Sequence, residues 1–154
     1  MIARLSAKQL LMACGALLSA FALAQSNELE LNRARWQAAA LAGYKYGYNK
    51  YCDCHRDTPP ETFVTVRAGA VVAVHHRHTD SPREVPAREG SLEYYWTIDE
   101  LFSLLESGLA REAVVKVRYD EQLGYPSEIY IDYDASLVGD ELDVRLTSLQ
   151  VLAP

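Results

Sequence analysis

Short stretches whose side chains alternate with a period of two constrain this chain more than any other feature. In "YKYGYNKY", Tyr44, Tyr46 and Tyr48 point one way and Lys45, Gly47 and Asn49 the other. Val115, Val117 and Tyr119 share a face in "AVVKVRYD", as do Ile129, Ile131 and Tyr133 in "SEIYIDYD" and Leu142, Val144 and Leu146 in "DELDVRLTSL". Two β-branched runs, within "TFVTVRAGAVVAVHHRH", meet around Ala68-Gly69 and read as a hairpin. A strand with one apolar face needs one cover and leaves its other face in water, which is the pattern of an antiparallel sheet packed on one side.

Two helices supply the cover. "NELELNRARWQAAALA" (27–42) places Leu29, Trp36 and Ala40 on one face. Ser26 or Asn27 is its expected cap, and Gly43 its expected stop. "TIDELFSLLESG" carries a capping box, Thr97 with Glu100, and an apolar stripe of Ile98, Leu101, Phe102 and Leu105, with Gly108 as the expected end. Residues 79–96 are polar, hold two prolines and read as one long loop. The expected fold is α+β, with an antiparallel sheet of about six strands, two helices on one face, and the order helix-βββ-helix-βββ. Each half then reads as one helix on a three-stranded meander, the arrangement an old duplication would leave.

The N-terminus reads differently. Arg4 and Lys8 precede an apolar run from Leu10 to Leu23 that closes in Ala22-Leu23-Ala24. This is the pattern of a secretory signal peptide, 1–24, cut after Ala24. A lipoprotein signal ending at Cys14 is the rival, but the apolar run continues well past Cys14. The run is also short for a retained bilayer span, so no stable membrane insertion is expected after the cut. Residues 25–154 would form a single domain in the periplasm or outside the cell. Without Arg4 and Lys8, 13 basic residues face 21 acidic ones, a net charge of −8. That balance argues against nucleic acid and anionic lipid as partners, because both need a basic face.

Taken in order, the motifs form a series. Trp36 is followed by Tyr44-x-Tyr46, Cys52-x-Cys54, the V-x-V-R-x-G-x-V hairpin at 64–71 and T-x-x-E-L-F at 97–102. Y-D-x-x-x-G-Y-P-x-x-I-x-I-D from Tyr119 to Asp132 and then Asp140-Glu141 complete it. The series resembles a family of small exported bacterial proteins that carry a domain of unknown function, over nearly all of the chain after the signal. The resemblance implies export and a single domain, and it brings no enzyme, cofactor or catalytic residue. Many members carry a lipoprotein-type signal, from which this chain departs.

The candidate sites lie in "YCDCH" and in what surrounds it. Export would leave Cys52 and Cys54 as the only cysteines, and an oxidising compartment favours pairing them as a disulfide. A bridge between i and i+2 closes a small, strained ring. A second reading adds His55, His75, His76 and His78 as ligands for zinc or copper. It rests on a hairpin register that sets Thr62 opposite His75 and Glu61 opposite His76, with Cys52 beside Thr62. A third reading is a thiol-redox centre activated by His55 and Arg56. Tyr94, Tyr95 and Trp96 in the long loop are a candidate binding surface, whereas the strand tyrosines read as core. Asp120, Asp132, Asp134, Asp140 and Glu141 read as turn and cap residues, without the order of a calcium loop. No nucleophile elbow, phosphate loop or H-E-x-x-H is present. The expected function is therefore non-enzymatic binding of a protein or envelope component, with no cofactor.

Overall fold

The computed structural model describes residues 7–51, 61–77, 83–88 and 90–153, with side chains from Leu23 onward. Its elements are α1 (Ala7–Ala38), β1 (Gly43–Tyr51), β2 (Thr62–Arg67), β3 (Ala70–Arg77), β4 (Glu84–Pro86), a 3-10 turn (Leu92–Tyr94), α2 (Ile98–Ala110), β5 (Val114–Tyr119), β6 (Pro126–Asp132) and β7 (Leu142–Val151). The seven strands form one sheet in the order β4-β3-β2-β1-β7-β6-β5, and every neighbouring pair is antiparallel. The fold is α+β, as the alternation predicts.

The packed face follows the period of two. Tyr44, Tyr46 and Tyr48 of β1, Val64 and Val66 of β2, Ile129 and Ile131 of β6 and Val144 of β7 are all buried. They meet Leu29 and Trp36 of α1 and Ile98, Leu101, Phe102 and Leu105 of α2. Trp36 sets its ring edge-on to Tyr44 at 5.0 Å and to Tyr125 at 6.2 Å. Arg33 joins the two helices through Glu106 at 2.7 Å. Among the described residues no helix is long and apolar enough to cross a membrane.

Several boundaries differ from the sequence reading. α1 does not begin at a Ser26 or Asn27 cap; it runs unbroken through both, because no proline or glycine interrupts the stretch around them. It ends at Ala38 rather than at Gly43, with Ala40 in the left-handed region (φ 44°) and Gly43 already in β1. Thr97 caps α2 through the expected capping box, but Gly108 does not end the helix. Gly108 lies inside α2, where a Cβ would come within 3.1 Å of Val115 Cγ2. Its missing side chain lets α2 settle onto the sheet. The turn that does end α2 is a Schellman motif. The Ala113 N–H donates to the Gly108 carbonyl and the Glu112 N–H to the Leu109 carbonyl. Glu112, at φ 59°, holds the left-handed position that glycine usually takes.

The sheet has seven strands rather than six, and the order is helix-ββββ-helix-βββ. The extra strand, β4, lies inside the polar 79–96 stretch, too short to show a period. Glu84 fastens it from the open face: Lys45 of β1 reaches Glu84 at 2.9 Å and Arg77 of β3 at 3.1 Å. Both cations also lie on the Phe63 ring, 4.9 and 4.6 Å from its centre. These contacts hold the Glu84 carboxyl below its usual pKa, the Lys45 hydrogen bond first among them.

The strand order also speaks against a duplication. Seen from the helix side with each first strand pointing up, the meanders β1-β2-β3 and β5-β6-β7 run to opposite sides. Both helices lie on the same face and touch each other. No rotation superposes two such meanders, since they differ in hand.

Candidate functional site

β1 directs its packed-face side chains in sequence at the approach to α2. The Tyr44 hydroxyl accepts a hydrogen bond from the Ile98 N–H at 3.0 Å. The Tyr46 hydroxyl donates to the Trp96 carbonyl. Tyr48 comes next, is 1 % exposed, and its buried hydroxyl has no hydrogen-bond partner among the described residues. Burial raises all three phenol pKa values well above the ordinary 10.0. Lys50 follows on the same face. Its ammonium lies 4.4 Å from the centre of the Trp96 ring. Among the described residues no carboxylate pairs with it, and burial lowers its pKa.

A polar row crosses three strands at this end of the sheet. Tyr48 of β1 stands opposite Thr62 of β2, and Thr62 opposite His76 of β3. Thr62 Oγ1 and His76 Nδ1 are 3.0 Å apart. The Tyr95 ring covers the row, 5.5 Å from Tyr48 and 6.4 Å from His76. The hydroxyl–imidazole contact pairs a potential nucleophile with a potential base, and Thr62 is fully buried.

The structure separates residues that the sequence reading grouped. A bulge between Thr65 and Val66 shifts the hairpin register by one, so Thr62 faces His76 and Phe63 faces His75. Tyr48, rather than Cys52, is the β1 residue beside Thr62. As strand neighbours, His75 and His76 project to opposite faces. His76 joins the row under Tyr95, while His75 stands between Phe63 and Pro86 on the open face. The two cannot grip one ion without breaking β3. Cys52, Cys54, His55 and His78 lie outside the described residues. Among the described residues no three metal-ligating side chains converge.

The aromatic trio divides. Tyr95 and Trp96 pack against the core, and Tyr94 projects outward at 59 % exposure. Asp120 and Asp134 close turns: the Asp120 carboxylate accepts from the Gln122 and Leu123 N–H groups, and that of Asp134 from Ser136. Asp132 and Asp140 each keep one buried oxygen without a partner among the described residues. Lys50 escaped the sequence reading, although it continues the even-numbered parity of the tyrosines and so belongs on the packed face.

A family model described as a family of unknown function (DUF6174) matches residues 28–151. No curated protein and no solved structure matches the chain.

Proposed function

The chain belongs to the family of unknown function DUF6174, and on that footing we propose that it is a non-enzymatic binding domain of the bacterial envelope. Its partner is a protein or an envelope component, engaged at the sheet end beneath the Tyr94–Trp96 segment. The observation that carries this reading is the pair Tyr48 and Lys50. A core hydroxyl that has no partner among the described residues, and a half-buried cation that has only an aromatic ring there, are costly to keep. A partner's polar group arriving between Tyr95, Trp96 and Tyr94 would offset that cost, and the exposed Tyr94 ring would add contact area.

The protein would reach this setting by export. α1 supports that reading: the Gln25 side chain donates to the Val115 carbonyl at 3.0 Å. Gln25 is also the residue that a cut after Ala24 would leave first. We place a Cys52–Cys54 disulfide in the exported form, ahead of a zinc or copper site or a thiol-redox centre.

The test uses protein purified from the periplasm without reductant or chelator. Tyr94→Ala and Lys50→Met should each lose a partner that the wild type captures from envelope extract by about tenfold, the scale of one lost interface anchor. Equal capture by all three proteins sinks the sheet-end reading. A native mass with a metal ion bound and both thiols free would put the metal reading in its place.

A further inference from the structure

The two margins of the sheet are not alike. β4 is three residues long and carries Pro86, which has no N–H to offer. β5 runs from Val114 to Tyr119 without proline or glycine, and β6 pairs only one of its sides. In an antiparallel ladder the N–H and C=O of one residue point to the same side. The Val115 carbonyl accepts from Gln25 Nε2 rather than from β6. Val115 and Val117 therefore turn their backbone groups to the open margin. Gln25 takes one acceptor there, and among the described residues no side chain takes the Val117 pair.

The side chains along this margin are sorted by face. Lys116 and Arg118 project to the open face, beside a shallow hollow of about 270 Å³ that Tyr130, Asp143 and Arg145 also line. Among the described residues Lys116 has only the Tyr130 ring, at 5.2 Å, and Arg118 only a long, exposed contact to Glu128 at 3.4 Å. On the helix face of the margin stands the half-buried Val117.

Charge selects what can pair here. A second copy of β5, added antiparallel in either register that uses most of the strand, sets Lys116 against Lys116 or Arg118. Like charges directly opposed destabilise such a pairing. A strand with acidic residues at alternate positions meets Lys116 and Arg118 favourably, and its intervening apolar residues come to lie beside Val117. We propose that the β5 margin docks an extended acidic segment of a partner protein, which adds to the sheet as a further strand. This site lies on a different margin from the sheet end and does not depend on that reading.

The test titrates the purified protein, at low salt, with a short synthetic peptide alternating glutamate and valine, blocked at both ends. Its counterpart carries lysine for glutamate. The acidic peptide should bind saturably and slow hydrogen exchange at the Val115 and Val117 amides, and the basic peptide should not bind. Lys116→Glu with Arg118→Glu, both exposed and outside the core, should shift the preference toward the basic peptide by about tenfold or more. No binding of the acidic peptide, equal binding of the two peptides, or binding that leaves Val115 and Val117 exchange unchanged would overturn the proposal.

Discussion

Tyr44, Tyr46 and Tyr48 occupy equivalent positions on one strand face, yet their hydroxyls have three different fates. The first accepts from a helix N–H, the second donates to a loop carbonyl and the third has no partner among the described residues. This predicts opposite signs for the same substitution. Tyr46→Phe leaves the Trp96 carbonyl short of its donor and should cost about 1 kcal/mol. Tyr48→Phe removes an unsatisfied buried hydroxyl and should raise stability by about 1 kcal/mol while weakening partner capture. Urea denaturation of the two variants reads both signs. A Tyr48→Phe protein less stable than wild type would mean that the hydroxyl is satisfied in solution.

At the level of elements, the ends of the helices follow geometry rather than residue type. Both helices close through a left-handed residue that is not glycine, Ala40 after α1 and Glu112 after α2. A side chain in that region carries a backbone cost that glycine avoids. Glu112→Gly should therefore stabilise the protein by about 0.5–1 kcal/mol, seen as a higher urea midpoint at unchanged slope, since the Schellman hydrogen bonds stay in place. An unchanged or lower midpoint would show that Glu112 makes compensating contacts. Glycine has another use in this fold. Gly124, at φ 76°, turns β5 into β6 where a Cβ would sit 2.6 Å from the Asn32 carbonyl oxygen of α1. The close approach of turn and helix, and not only the backbone angle, requires a residue without a side chain.

For the molecule as a whole, the core is rich in phenols. Burial is the first cause that raises the pKa of Tyr44, Tyr46, Tyr48 and Tyr119, each above the ordinary 10.0. Above pH 10 the unfolded chain loses these protons while the native state keeps them. Stability from these groups is thus fully present below pH 10 and falls as pH rises toward their folded values. The urea midpoint should be flat to about pH 9 and drop beyond pH 10, with phenolate absorbance appearing together with unfolding. Absorbance that rises ahead of unfolding would mean that the core phenols are reached by solvent in the native state. The sequence by itself determined the antiparallel sheet, its packed face, the turn at Ala68-Gly69 and the α2 capping box, because period, turn chemistry and caps are local. It also placed the strand tyrosines in the core. Only the tertiary structure decided β4, whose three residues are held by Lys45 and Arg77 from other strands. The bulge that moved the histidine register, the β1–β7 junction and the sorting of Tyr95 and Trp96 from Tyr94 were likewise decided there. Each depends on which distant segments lie side by side, and no local pattern along the chain carries that information.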